Sequence, residues 1–351
     1  MNAIADFLYG ILEGITSVVQ NHGISIIIFT ILMRLICVPF DYKSRKGMRK
    51  MSAIQPKLAE LQKKYANDKQ KFQQKQAELM RKEHYNPLSS CLPMLLTWPL
   101  MIAMFSAMRM IANEQLAMQA FRYLLGEENP IQPADTFLWI KNIWMTDSPF
   151  ASIAPDTNSL GMLTAEVWNK VVATFSEEQL ALIVQNIQTV VPEFVNFDFS
   201  NAEAMKASVA AINSALHQIP AYQSAVATVP GWTNVSFLLF SITVFVNYNG
   251  FLILPALAGI TQVLQTKFNP QMKEQEKAQA ANPQQNGTGK FMKYFFPVLS
   301  VFFCLTSNAG FALYWVTSNV VMWVLSIAMT KFLEKQDKKN ATAIAGEGTV
   351  K

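Results

Sequence analysis

The sequence is poor in the residues on which most catalytic, metal-binding and disulfide-stabilised sites depend. Its 351 residues include three cysteines and three histidines, and only 15% of them carry a charge. The cysteines lie within or beside apolar segments, which predicts small packed side chains rather than a disulfide framework. The few histidines argue against a metal site, and no Gly-x-x-x-x-Gly-Lys-Ser/Thr loop is present to hold a nucleotide phosphate. From these absences we expect no cofactor, no metal and no enzymatic activity.

Apolar residues are abundant instead. Hydrophobic side chains make up 51% of the chain, and because apolar blocks alternate with charged ones the mean hydropathy is only +0.18. This alternation favours an all-α polytopic membrane protein over two or three soluble domains. The N-terminus contains Asp6 and Glu13 and lacks a basic region, so we expect no cleavable signal peptide.

Five apolar segments are predicted to be membrane-spanning helices. They are residues 24–40, 87–108, 251–268, 291–306 and 311–332. The second contains Pro93 and Pro99, which predict bends because proline interrupts the hydrogen bonds of a helix. Residues 1–23 carry apolar side chains at helical spacing, which predicts an amphipathic helix in the membrane interface.

The segment between the first two spans, residues 41–86, is strongly basic, with 13 Lys and Arg against 5 Asp and Glu. Apolar residues recur in it at intervals of three and four, with a break at Asn67 and Asp68, which predicts a helical hairpin. Two interpretations stay open with even weight: a solvated charged loop, or an arm that docks onto a ribosome, a nascent chain or anionic lipid. The candidate docking residues are Arg45, Lys46, Arg49, Lys50, Lys57, Lys63 and Lys64.

The distribution of positive charge predicts the topology. The hairpin, a polar linker at residues 269–290 and a tail at residues 333–351, with their immediate flanks, hold 23 of the 29 Lys and Arg. Positively charged loops stay in the cytoplasm, so we expect the N-terminus outside, the C-terminus in the cytoplasm and a largely unstructured tail. Residues 109–250 would then lie outside, where helical patterns at about 155–249 predict a small extracellular domain.

A single arginine, Arg34, lies inside the first predicted span. A charge in a membrane helix costs a few kcal/mol even on insertion scales, so its presence asks for a compensating role. No Asp or Glu occurs in any of the five predicted spans to pair with it. Two interpretations stay open: a structural arginine bound to backbone carbonyls, and a functional charge that meets a substrate.

Seven segments, taken in order, resemble a known family. They are TILMRLICVPF (30–40), IQPKLAELQKKY (54–65), NPLSSCLPMLLTWP (86–99), FLWIKN (137–142), ILPALAGITQVLQTKF (253–268), FFPVL (295–299) and NAGFALYWVTSN (308–319). With this order and spacing, the chain resembles the YidC-type membrane protein insertases of the YidC/Oxa/Alb family over most of its length. It departs from the family at Thr97, where glutamine is frequent, and at Asn308, where proline is frequent. Residues 155–249 look like an insertion.

The resemblance implies an insertase and chaperone in the bacterial plasma membrane, with five transmembrane helices around a hydrophilic groove. In such a groove Arg34 attracts acidic residues in the extracellular tail of an incoming client. The implied partners are nascent membrane proteins, the ribosome and anionic lipids, with a Sec translocon as a further candidate and no nucleic acid except through the ribosome. Burying about 20 apolar residues in lipid supplies the driving force, so no nucleotide is needed.

The candidate groove residues are Arg34, Thr97, Gln262, Gln265, Trp315, Ser318 and Asn319. For the last five of these, hydrogen bonding or packing between helices is an equally open interpretation. Two other functions remain: a channel or transporter, and a membrane-anchored assembly factor that acts through its extracellular domain. A transporter predicts internal hydropathy repeats and further charges within the membrane, neither of which the sequence shows.

Overall fold

The computed structural model describes residues 2–84, 88–237, 240–268 and 286–347. Within them, twelve α-helices and two short strands form the regular structure. In chain order these are α1 Asn2–Val19, α2 His22–Lys64, α3 Lys69–Lys82, α4 Leu88–Leu124, α5 Thr157–Gly161, α6 Ala165–Val172, α7 Glu177–Gln188, α8 Ala202–Leu216, α9 Pro220–Ala225, β1 Val235–Phe237, β2 Phe240–Ile242, α10 Ile253–Phe268, α11 Asn286–Thr306 and α12 Ala309–Glu347.

Helices dominate, in agreement with the predicted all-α membrane protein. Among the described residues, two helical stretches are long and apolar enough to cross a membrane, His22–Lys64 and Ala309–Lys339. A shorter apolar stretch covers Tyr294–Thr306. The five-span arrangement and its groove stay predictions.

The first of two compact units comprises the described residues of Met1–Phe29, Ile102–Ala256 and Phe302–Trp315. Its main core joins the C-terminal part of α4 to the helices that follow it. Trp168 is fully buried there and stacks on Phe199 with ring centroids 5.6 Å apart. Burying a side chain of this size contributes more than about 1.5 kcal/mol. Trp168 also lies 5.8 Å from Phe121 of α4 between ring centroids, so the helices of residues 157–225 share one hydrophobic core with α4.

Local capping explains where the helices of residues 155–249 begin. The Ser176 hydroxyl and the Gln179 side chain form a reciprocal capping box at the start of α7, and the Asn201 side chain caps α8. Both helix starts agree with the sequence pattern. The pattern also predicts one helix over residues 160–175, but the chain breaks it into α5 and α6 because the Thr164 side chain caps a new start by accepting from the Val167 amide.

The apolar stretch at residues 235–246 departs from the all-α expectation. β1 and β2 pair antiparallel there, with Val235 opposite Ile242 and Ser236 opposite Ser241. Alternating β-branched and aromatic residues fit a strand better than a helix.

A buried polar network fixes the loop that contains FLWIKN. Asn142 is fully buried, and its backbone amide donates to Oδ1 of Asn249 at 2.7 Å. The buried Asp147 carboxylate accepts from the amides of Phe251 and Leu254 at 2.8 and 2.6 Å, which caps the start of α10. A Cβ added at Gly250 would lie 2.0 Å from the Asp147 carboxylate. A glycine is therefore required at this close approach.

The second unit comprises the described residues of Thr30–Met101, Leu257–Val301 and Val316–Lys351. In it, the end of α2 and α3 form the predicted helical hairpin, with a turn at the Asn67–Asp68 break. α12 continues to Glu347, which corrects the expectation of an unstructured tail. Extending an existing helix adds one hydrogen bond for each residue fixed and avoids the cost of nucleation.

Candidate functional site

In the second unit, a row of polar contacts joins α2 to α12. Arg34 is half-buried, and its Nε donates to Oγ of Ser318 at 2.9 Å. Its NH2 group donates to the same oxygen, and Ser318 is itself buried. Both residues are candidates from the sequence, and the structure brings them together. A neutral hydroxyl orients a guanidinium without cancelling its charge.

Two further arginines of α2 continue this row. Arg45 is buried, and its NH1 donates to Oγ of Ser326 at 2.9 Å. Arg49 forms an ion pair with Asp337 at 2.8 Å. The arginines follow one another along α2, and their partners on α12 follow one another in the same order. The two helices therefore run in the same direction here. We call this set the arginine seam: Arg34, Arg45 and Arg49 with Ser318, Ser326 and Asp337.

Sequence reasoning missed Asp41 as a member of this region. It follows Arg34 by seven positions and precedes Arg45 by four, which places all three on one face of α2. The Asp41 carboxylate interacts electrostatically with both arginines. Among the described residues, no ion pair within 4 Å joins the Asp41 carboxylate to the Arg34 guanidinium. The seven- and four-residue spacing is the sequence signal that could have found it.

Two of the candidate groove residues link α10 to α12. The side-chain amide of Asn319 donates to Oγ1 of Thr261 at 3.2 Å. Nε2 of Gln265 lies 3.9 Å from Sδ of Met322. Gln262 is half-buried one helical turn before Gln265, and its side chain has no hydrogen-bond partner within the described part of the chain. Asn319 and Gln265 thus make the interhelical contacts that the sequence left as an alternative to a groove role.

The remaining candidates lie elsewhere. Trp315 belongs to the first unit, where it packs on Phe311 with ring centroids 5.6 Å apart. Its indole nitrogen is buried without a hydrogen-bond partner among the described residues. Thr97 and Pro93 fall within α4, but their side chains lie outside the described residues. Pro99 is exposed on the same helix, and the predicted bends stay predictions.

The predicted docking residues divide into two groups. Lys57 forms an ion pair with Glu83 at 2.6 Å, which ties α2 to the end of α3. This hydrogen bond and the lysine charge hold the pKa of Glu83 below its ordinary value. Arg45 and Arg49 belong to the arginine seam instead, and burial leaves Arg45 little surface to offer a partner. The exposed lysines are Lys46, Lys50, Lys57, Lys63 and Lys64.

The chemistry that this site offers is the binding of negative charge. The described residues contain no group of three His, Cys, Asp or Glu that could hold a metal ion. Arg34 has a fixed orientation in an apolar helix, where a guanidinium attracts an anion more strongly than it would in water because the local dielectric constant is lower. Such an arrangement can hold a carboxylate transiently without any covalent step.

Comparison with known proteins shows what this chain is similar to. The family model described as "60Kd inner membrane protein" matches residues 14–211 and 211–338. A membrane protein insertase YidC from Clostridium tetani is 32% identical over 160 residues, which are 44% of this chain and 64% of that protein. One from Fusobacterium nucleatum is 43% identical over 108 residues, or 31% of this chain and 53% of that protein.

A third relative, the membrane protein insertase YidC from Oceanobacillus iheyensis, is 37% identical over 142 residues, which are 38% of this chain and 56% of that protein. In each of the three comparisons this chain covers less than two thirds of the relative's length. The family-model match itself extends over most of the chain and includes residues 155–249.

Proposed function

Since this chain belongs to the 60Kd inner membrane protein family, we propose that it is a membrane protein insertase and chaperone. It moves the extracellular tails and hydrophobic segments of small membrane proteins from the cytosol into the bilayer. The path is a hydrophilic groove that contains Arg34, and no nucleotide is hydrolysed. Transfer of about 20 apolar residues into lipid supplies the free energy.

The contact between Arg34 and Ser318 is the observation that carries this proposal. An ion pair would neutralise the arginine and leave little attraction for a client. A hydroxyl acceptor leaves the positive charge available. Asp41 interacts with Arg34 electrostatically but forms no ion pair with it within 4 Å among the described residues. An acidic residue in a client tail therefore finds a preoriented cation inside the membrane, which lowers the cost of carrying that residue across.

The direction of α2 and α12 supports the proposed topology. Under the five-span arrangement, the first and fifth spans cross the membrane in the same direction, because an even number of crossings separates their starts. The arginine seam requires that relation between α2 and α12. With basic segments inside, the N-terminus then lies outside the bacterial plasma membrane and the C-terminus lies in the cytoplasm.

The hairpin of α2 and α3 supplies a surface for partners. Among the described residues, the ion pairs Lys57–Glu83 and Lys75–Glu78 compensate only part of the positive charge that its exposed lysines carry. Such a surface attracts anionic lipid headgroups and ribosomal RNA. We include the ribosome, nascent membrane proteins and anionic lipids as partners, with a Sec translocon as a further one.

The test uses a strain depleted of its own insertase and complemented with this chain. Arg34→Ala should reduce insertion of a single-span client with an acidic tail by about tenfold, the effect of losing about 1.4 kcal/mol, and should spare a client with a neutral tail. Arg34→Lys should retain most insertion, because it keeps the charge. Lys206→Ala, which removes an exposed positive charge on α8, outside the hairpin and the arginine seam, is the matched control.

If the Arg34→Ala variant inserts the acidic-tailed client at the wild-type rate, the result would contradict the proposal. Solute flux through proteoliposomes that depends on Arg34 would support a channel instead. A further variant lacks residues 155–249. If its spans still fold but it inserts neither client, the result would support an assembly factor that acts through that region.

A further inference from the structure

A cavity of about 200 Å³ in the first unit has a lining rich in hydrogen-bond donors. One guanidinium and six neutral polar side chains line it, and no Asp or Glu does. The polar residues come from α4, from the loop after it, from α5 and from the turn between α11 and α12. They are Arg109, Asn113, Thr146, Ser159, Thr306, Ser307 and Asn308.

Several of these donors have no partner among the residues that the structure describes. The guanidinium of Arg109 forms no ion pair among the described residues and lies 5.3 Å from the Phe105 ring centroid. The side chains of Asn113 and Ser307 likewise have no hydrogen-bond partner in the described part of the chain. Oδ1 of Asn308 accepts from the Phe311 amide at 2.8 Å, which leaves the amide nitrogen of Asn308 to donate.

One cation surrounded by neutral donors, without a carboxylate, is suited to an oxyanion. An arginine fork fits the oxygens of a phosphate, and charge-assisted hydrogen bonds are about twice as strong as neutral ones. Carboxylates in the lining would repel such a ligand. The cavity is therefore complementary to a phosphate group in both charge and hydrogen bonding.

The apolar part of the lining indicates what carries the phosphate. Phe105, Met108 and Phe311 share the cavity with the polar groups, so the ligand has an apolar portion beside its phosphate. Arg109 directly follows the predicted second span, and Ile102, two turns earlier on α4, is 40% exposed. A phospholipid whose headgroup lies at the membrane surface has this combination of groups.

We propose that this cavity binds the phosphate of a phospholipid headgroup, with the acyl chains along the part of α4 that carries the exposed side chain of Ile102. The inference rests on the membrane placement under the proposed function, but not on insertion itself. The bound lipid ties the middle of α4, at Arg109 and Asn113, to the turn between α11 and α12. This holds one end of the helical bundle at a fixed depth in the bilayer.

The test is native mass spectrometry of the full chain released from lipid nanodiscs. Phosphatidylglycerol should remain bound to the wild type, and Arg109→Gln should weaken its binding about tenfold, which corresponds to about 1.4 kcal/mol. Lys206→Gln removes an exposed positive charge elsewhere in the first unit and should leave binding unchanged. Asn113→Ala should weaken lipid binding about threefold. Because this substitution leaves the net charge unchanged, the loss would not be a general effect of charge.

Further measurements separate the possible ligands. Millimolar inorganic phosphate should not displace the lipid; displacement at that concentration would identify a free-phosphate site instead. Binding of an acidic peptide in the cavity, without binding of phospholipid, would overturn the inference. Equal loss of bound lipid in the variants Arg109→Gln and Lys206→Gln would also overturn it. Arg34→Ala is expected to bind phospholipid normally, so a failure of this inference is distinguishable from a failure of the proposed function.

Discussion

The guanidinium of Arg34 donates from Nε to the Ser318 hydroxyl at 2.9 Å, across 284 positions of the chain. This contact orients a positive charge within a helix that is apolar enough to cross a membrane. Because the acceptor is a neutral hydroxyl, this contact does not cancel the charge of Arg34. The same geometry predicts that Ser318 acts on function through Arg34.

Ser318→Ala should therefore destabilise the protein modestly and impair insertion less than Arg34→Ala does. Loss of one interhelical hydrogen bond in a membrane protein costs about 1 kcal/mol, and the arginine keeps its charge. Thermal unfolding in detergent and the insertion assay measure the two effects. In a double-mutant cycle the two substitutions should be less than additive; strict additivity would show that the contact carries no coupling.

Arg45 should be more important to stability than its neighbour Lys46. Arg45 is buried against Ser326, so Arg45→Gln removes a charged donor from a packed site, whereas Lys46→Gln alters an exposed side chain. We expect a loss of about 2 kcal/mol for the first and less than about 0.5 kcal/mol for the second. Chemical denaturation in detergent provides the measurement, and equal effects would contradict the placement of Arg45.

Gly259 allows α10 and α11 to approach closely. A Cβ added there would lie 2.6 Å from Cγ2 of Val301, and valine cannot easily move aside because its χ1 is stiff. Gly259→Ala should lower the unfolding temperature, with a cost of about 1–3 kcal/mol from overpacking. The double variant Gly259→Ala with Val301→Ala should recover part of that loss; no recovery would locate the strain elsewhere.

A three-residue cluster ties α6 to α4 and α1. Nζ of Lys170 lies 2.6 Å from Oε1 of Glu114 and 3.0 Å from the Tyr9 hydroxyl. Burial lowers the pKa of Lys170, but the hydrogen bonds to Glu114 and Tyr9 outweigh it and raise the pKa overall. Burial is also the largest cause that raises the pKa of Tyr9, to about 12. At neutral pH Lys170 is therefore protonated and the Tyr9 hydroxyl is neutral.

Glu114→Gln should increase amide hydrogen exchange in α6. Because the pKa of Lys170 is raised in the folded state, its stabilisation is complete below the ordinary lysine pKa of about 10.4 and is lost as the pH rises through the raised value. The difference in α6 stability between wild type and variant should then shrink in that alkaline range. Glu193→Gln changes an exposed carboxylate outside α6 and should leave the exchange unchanged. A constant difference at all pH values would contradict the assignment to Lys170.

The sequence predicts those features that depend on neighbouring residues. Ser176 and Asn201 mark helix starts because a cap acts within three positions, and the break at Asn67–Asp68 marks the hairpin turn for the same reason. The prominence of Arg34 could also be predicted, because an isolated charge in an apolar run is visible without any partner.

Features that depend on distant partners could not be predicted. The burial of Arg45 depends on Ser326, which is 281 positions away, so periodicity alone assigned it to the exposed arm. The fully buried Trp144 donates to Asp135 at 2.6 Å, a contact between two loop residues that no helical or strand periodicity marks. The helical tail was missed because its polar composition suits a solvated helix as well as a disordered segment.

Photocrosslinking from the Arg34 face of α2 tests the central claim most directly. Cys37 lies one helical turn after Arg34, whereas Ile36 points away from that face and is 63% exposed. A photoreactive amino acid at position 37 should capture the acidic tail of a stalled nascent client, and one at position 36 should capture lipid only. Crosslinks at position 37 should fall when Arg34 is replaced by alanine. Equal capture from both positions, or capture that is unchanged by Arg34→Ala, would contradict the account.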